Sequence, residues 1–229
     1  MKISFKIQLI ISLFFYILFS FQGAFSATVK TGEKPALSVN QILDNLEKRF
    51  EGSGFSADFY QESPIQDIGI TESAAGEAYF KKPKKFRWEY TTPDTLHYIS
   101  DGKKLWIHSP EDNNVWVGET AYFFGKESSA SFLTDISLIR KKFNVTMSDK
   151  KSKTDWVLAL TPSTEAAFGL KKIFLSISKQ TGNISKIVSF NLNNSETRII
   201  LSNYNFTKIP PDELFEFKMP KNANIIPLK

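Results

Sequence analysis

The sequence has no cysteine at all and only two histidines among 229 residues. The first absence removes disulfides, thiol nucleophiles, zinc ribbons and iron–sulfur clusters together. The second, with no H-x-H or H-E-x-x-H spacing, leaves little from which to build a catalytic metal centre. There is also no G-x-S-x-G elbow, no P-loop and no G-x-G-x-x-G, so nucleophilic hydrolysis and nucleotide chemistry have no visible foothold. His97 and His108 read as strand or surface residues, and Glu111-Asp112 as a solvated turn. No enzyme, no cofactor and no metal are expected. A chain without cysteine must fold on its apolar core alone. Phenylalanine supplies much of that core: 21 residues, beside 7 Tyr and 4 Trp.

A long apolar run is lacking except at the start. Lys2 and Lys6 precede an apolar stretch from Ile7 to Phe21, and Ala24-Phe25-Ser26 offers small residues before Ala27. The stretch falls short of the ~20 residues that span a bilayer. It reads as a secretory signal peptide, residues 1–26, cleaved, with no Cys at the cleavage site that would make the protein a lipoprotein. Losing Lys2 and Lys6 lowers the formal net charge from +5 to +3. That charge and an export leader argue against nucleic acid as a partner. Residues 27–37 read as a flexible lead-in and 38–229 as a single domain.

Within that domain the apolar period changes twice. Ser38–Gln41 is a capping box, S-x-x-Q, and Val39, Leu43, Leu46 and Phe50 form one helical stripe that Gly52-Ser53-Gly54 ends. From Phe55 the period becomes two. Strands are expected at 55–61, 76–81, 85–91, 95–100, 104–109 and 114–118, with turn signals between them that include Asp101-Gly102. Helical spacing returns from Tyr122 to Asn144, where Phe132, Ile136, Ile139 and Phe143 align. Further strands are expected at 155–161, 171–178, 184–192, 197–206 and 215–218. The pattern is mainly β (α+β): about eleven strands in one large curled antiparallel sheet, with helices on one face.

In Lys85–Tyr90, alternation puts Phe86, Trp88 and Tyr90 on one face. Phe80 is expected nearby, as are Leu96, Tyr98 and Trp106. These apolar and aromatic residues read either as core or as the wall of an apolar cavity, since two helices are few to cover so wide a sheet. The lysines of Lys81-Lys82-Pro83-Lys84-Lys85 read either as a solvated connection or as a site for acidic partners or lipid headgroups.

Several short patterns, in order, resemble the LolA family of periplasmic lipoprotein carriers. They are Phe59-Tyr60-Gln61; Gly76 with Lys82-Pro83 and Phe86-Arg87-Trp88; Asp101-Gly102-Lys103-Lys104-Leu105-Trp106 with Pro110; Leu160-Thr161-Pro162; and Phe215-Glu216-Phe217 with Pro220. The resemblance runs from about Ser38 to Ile225. It implies an unclosed antiparallel β-barrel of about eleven strands, with helices forming a lid over a hydrophobic cavity. It implies a monomeric periplasmic chaperone. Such a chaperone accepts acylated lipoproteins from an inner-membrane ABC transporter, shields their acyl chains and passes them to an outer-membrane acceptor. On this reading Phe86, Trp88, Tyr90, Phe80, Leu96, Tyr98 and Trp106 line the acyl cavity. Phe132, Ile136 and Ile139 belong to the lid, and Lys82 stands where the family carries a latch arginine. A lipid or glycolipid shuttle, or a lipoprotein-sensing regulatory protein of the same fold, is the alternative.

Overall fold

A computed structural model describes residues 37–65, 69–121, 130–164 and 169–228. The expected leader (1–26), all of the lead-in but Leu37, and residues 122–129 of the expected second helix lie outside the described residues.

Helix α1 (Val39–Arg49) starts as its sequence dictates. Ser38 Oγ accepts from the Gln41 amide at 3.3 Å, and Gln41 Oε1 accepts from the Ser38 amide at 2.9 Å. Ile42, Leu43 and Leu46 face the core. Among the described residues twelve strands follow: β1 (Gly54–Ile65), β2 (Ile70–Lys81), β3 (Lys85–Thr92), β4 (Leu96–Asp101), β5 (Lys104–Ser109), β6 (Asn114–Glu119), β7 (Phe143–Met147), β8 (Asp155–Pro162), β9 (Leu170–Ser178), β10 (Ile184–Asn191), β11 (Glu196–Asn205) and β12 (Asn224–Pro227). They form one sheet in the order β12-β6-β5-β4-β3-β2-β1-β11-β10-β9-β8-β7. Every pairing is antiparallel except β12 on β6. The edge strands β12 and β7 do not pair with each other, so the sheet stays unclosed.

Register fixes which side chains share a face. One inner row runs Phe55–Phe80–Phe86–Ser100–Leu105–Gly118. The next runs Ala57–Ala78–Trp88–Tyr98–Ile107–Trp116. Across β1 the inner face continues through Leu201, Ile199, Ile187, Leu175 and Leu158. Most of these residues join the apolar side of α1 in one buried cluster, with Tyr98 and Ile107 packed half-buried against it. The outer face of β3–β5 is covered by the chain after β11. There the 3₁₀ turn Asp212–Phe215 buries Phe215, Arg87 Nη1 donates to the Leu214 carbonyl at 3.1 Å, and Phe217 stacks on Trp106 at 5.7 Å.

The expected elements needed correction in three places. The helix expected up to Asn144 is instead a 3₁₀ turn (Ser131–Thr134) and a five-residue helix α2 (Leu138–Lys142), and Phe143 already begins β7. Asp135 accounts for the break: its carboxylate accepts from the Ser137 amide and hydroxyl. No strand forms at 215–218. Phe215 and Phe217 do alternate inward, but onto the outer face of the sheet, and the last strand is β12. The β1–β2 hairpin is longer at both arms, taking in Glu62–Ile65 and Ile70–Ala75, whose largely polar sequence has no apolar face to announce it.

Two glycines are forced by contact. At Gly102 the φ of +96° suits the β4–β5 turn, where Asp101 Oδ1 accepts from the amides of Lys103 and Lys104 at 2.7 Å each. At Gly76 the β2–β3 register shifts, and a Cβ would lie 1.8 Å from the Glu89 carbonyl oxygen. Backbone cannot move aside there. Gly76→Ala is expected to cost about 1–3 kcal/mol in urea unfolding. Gly52→Ala, with nothing within 4 Å of the new methyl, should cost far less. Equal unfolding midpoints for the two variants would contradict this reading of the bulge.

Candidate functional site: the covered inner face

The strongest concentration of aromatic side chains lies on the inner face of β1–β4. Phe86 is fully buried, and Phe80 and Trp88 nearly so. Trp88 meets Phe59 edge-on at 4.7 Å and Phe80 at 5.7 Å. Tyr90, Leu96 and Tyr98 continue the same wall, half-buried. Tyr90 Oη donates to Gln61 Oε1 at 3.1 Å, and burial, aided by Tyr98, raises its pKa well above the usual phenol value. Six of the seven expected wall residues therefore share one surface. Trp106 does not. It pairs with Ile99 across β4–β5, on the outer face, where its ring lies on Phe217. The count along β5 decides this: Leu105 and Ile107 point inward, so Trp106 cannot.

A cover lies on that wall. Phe132, Leu133, Ile136 and Ile139 are buried in the same cluster as Phe80, Phe86 and Trp88. They sit on the 3₁₀ turn, on α2 and on the bend between them. Packing is close where the cover meets β1 and β2. The space among Phe50, Phe55, Phe80, Leu133 and Ile136 is only about 10 Å³, too little for any ligand. Those pieces are short, and a five-residue helix does not stand alone in water.

Polar ties hold the cover to α1, and α1 to the sheet. Arg140 on α2 spreads its guanidinium over α1. Its Nε donates to Glu47 Oε1 at 2.8 Å, Nη1 to Asn40 Oδ1 at 3.2 Å, and Nη2 to the Asn40 carbonyl at 3.1 Å and to Asp44. Sequence reading missed Arg140. The charge-bearing turn at Asn40, Asp44 and Glu47, at helical spacing, was the available signal for a partner there. At the other end of α1, Lys82 Nζ donates to the carbonyls of Phe50 (3.0 Å) and Glu51 (3.1 Å). A cation at the C-terminal end of a helix meets unpaired carbonyls and the negative end of the helix dipole. Phe50 itself is ringed by Phe55, Tyr204 and Phe206 within 6 Å.

The lysine loop is thus engaged with its own chain. Lys81 and Lys85 both reach Asp212 Oδ1, at 3.1 and 2.7 Å, and their hydrogen bonds hold that carboxyl below its usual range. The two histidines meet on the outer face. His97 and His108 are register partners with rings stacked at 5.9 Å, and Phe217 lies edge-on to His108. Burial lowers both pKa values; for His97 the Arg87 charge and His108 add to this while Glu89 opposes it. Among the described residues no group of three or more His, Cys, Asp or Glu could hold a metal ion, and no helix is long and apolar enough to cross a membrane.

Two outcomes are expected. Lys82→Met and Arg140→Ala each remove a tie, so each should raise binding of an apolar fluorescent dye and lower stability, by about 0.5–1 kcal/mol for the exposed Arg140 pairs. Dye binding at the unaltered level in both variants would mean the ties do not hold the cover. The second outcome concerns pH. Both histidines take up a proton less readily folded than unfolded, so acidification favours the unfolded chain. Their contribution is complete above the ordinary histidine value of about 6.5 and is lost as pH falls from there through the lowered folded values. Urea midpoints should drop between pH 7.5 and 5.5, and a His97→Gln/His108→Gln double variant should flatten that drop. An unchanged slope in the double variant would refute the assignment.

A family model described as "Outer membrane lipoprotein carrier protein LolA" matches residues 51–218. Curated relatives named "Outer-membrane lipoprotein carrier protein" include one from Nitrosomonas europaea, 28% identical over 172 residues, which are 75% of this chain and 82% of the relative. Another, from Chromobacterium violaceum, is 27% identical over 174 residues, 75% and 80% of the two chains. The crystal structure of an uncharacterized conserved protein from Thermus thermophilus has a TM-score of 0.54 at 14% identity. The match covers 82% of this chain and 98% of that one, a likeness of fold alone.

Proposed function

The chain belongs to the LolA family of outer-membrane lipoprotein carriers, whose members bind and carry rather than catalyse, and from that premise we propose that it is a periplasmic chaperone for acylated lipoproteins. It takes its cargo as an inner-membrane ABC transporter releases it, shields the acyl chains against the wall of Phe80, Phe86, Trp88, Tyr90, Leu96 and Tyr98, and delivers them to an acceptor at the outer membrane. It works as a monomer, exported by residues 1–26. Lys82 acts as the latch through the end of α1.

One observation carries the reading. Beside helix α1, the side chains that fill the inner face belong to a cover of two short pieces, tied down by surface ion pairs. Such a cover can be displaced, and an acyl chain is the ligand whose chemistry matches what it leaves behind. Buried hydrocarbon contributes about 0.8 kcal/mol per CH₂.

The test is to express the protein in a Gram-negative periplasm with a photo-crosslinking residue at position 86, and to examine the products by native mass spectrometry. One acylated lipoprotein bound per chain and crosslinked at 86 is the expected result. Phospholipid or glycolipid in its place would make the protein a lipid shuttle. An empty, uncrosslinked protein would contradict the carrier reading.

A further inference from the structure

Two buried side-chain polar atoms among the described residues have no hydrogen-bond partner: His97 Nδ1 and Trp88 Nε1. The first lies on the outer face, 3.9 Å from Glu89 Oε1. The second lies on the inner face, on a residue only 4% exposed. An indole N–H can donate and cannot accept. Burying it unpaired costs the free protein the full desolvation of a donor, and native structures rarely accept that cost. Phenylalanine would fill the same wall without it, as Phe59 and Phe80 already do against the indole.

The surroundings suggest what the donor is for. Along the row, Trp88 has Ala78 on one side and Ala57 beyond it, the smallest side chains of the wall, with Tyr98 on the other side. Tyr90, two residues on and facing the same way, already gives its one hydroxyl proton to Gln61. This part of an otherwise hydrocarbon surface is therefore able to donate hydrogen bonds through the Trp88 N–H. A methylene chain has nothing to accept them. The ester carbonyl that joins an acyl chain to its glyceryl group does.

The geometry points to Trp88 Nε1 as a donor to the ester carbonyl of a bound acyl chain, which makes the site selective for ester-linked over ether-linked chains. The inference rests on the carrier reading and adds the chemical class that the wall distinguishes. The same ester occurs in acylated lipoproteins and in glycerophospholipids.

The test uses the purified full chain and four probes: a dipalmitoylglyceryl-cysteine peptide, its dihexadecyl ether counterpart, and the diester and diether forms of phosphatidylglycerol. The unaltered protein should bind the ester peptide roughly three- to tenfold tighter than the ether peptide, the effect of one neutral hydrogen bond. Trp88→Phe should erase the difference. In ¹⁵N-labelled protein the Trp88 indole proton, one of four, should move downfield with the ester peptide and not with the ether. An ester preference with both peptide and phosphatidylglycerol supports recognition of any glyceryl ester; a preference with the peptide alone supports recognition of lipoprotein. Equal affinity for ester and ether peptides, a preference that survives Trp88→Phe, or an indole resonance that the ester leaves in place would overturn the inference while leaving the carrier reading intact. If neither peptide binds, the carrier reading falls and the inference with it.

Discussion

The inner face of the sheet is apolar from β3 across β1 to β8, and the two edge strands never meet. A closed barrel would hide that face from water by its own curvature. An unclosed one needs other elements to lie on it, and most other features of the molecule answer this need. Helix α1 covers part of the face and is fixed at its C-terminal end by the Phe50 aromatic cluster and Lys82. The 3₁₀ turn and α2 cover more, and their fastening, Arg140, grips α1 and not the sheet. One cover is firmly rooted and the other hangs from it.

Magnitudes make this arrangement suit a carrier. A fully buried Leu, Ile or Phe side chain contributes about 1.5–3 kcal/mol, so Phe132, Leu133, Ile136 and Ile139 together hold the cover with about 6–12 kcal/mol. A palmitoyl chain buried in their place would gain roughly 10 kcal/mol on the same scale. Both figures are upper values, and they are of one size. On the proposed reading, cargo and cover then compete nearly evenly. Affinity is the small remainder, and release needs no external energy at the carrier itself. A rigid, empty cavity of the same lining would hold an acyl chain too tightly to pass it on.

Much of this was legible in the sequence, for a definite reason: period-two alternation in Phe55–Phe59, Phe80–Tyr90 and Leu96–Tyr98 marks one face of a sheet, and the capping box at Ser38 marks the start of a helix. The fold class, the sheet and the common face of Phe86, Trp88 and Tyr90 followed from such patterns. What was lost was lost where local pattern and tertiary context disagree. Trp106 looked like its aromatic neighbours, but strand parity turned it outward to Phe217. The stripe Phe132, Ile136, Ile139 and Phe143 does face the core at helical spacing, yet Asp135 breaks the helix and Phe143 belongs to a strand. Arg140 and the His97–His108 pair depend on contacts between elements distant in sequence, or across a register that alternation alone does not set.

The central claim is that ligand and cover exchange places on one surface. Amide hydrogen exchange of residues 130–142, measured with and without a diacylated lipopeptide, tests it most directly. The account predicts that these amides lose protection when the lipopeptide binds, while those of β1–β3 keep or gain it. Protection that rises over 130–142 together with the sheet would contradict it, because the cover would then be closing over the ligand and not giving way to it.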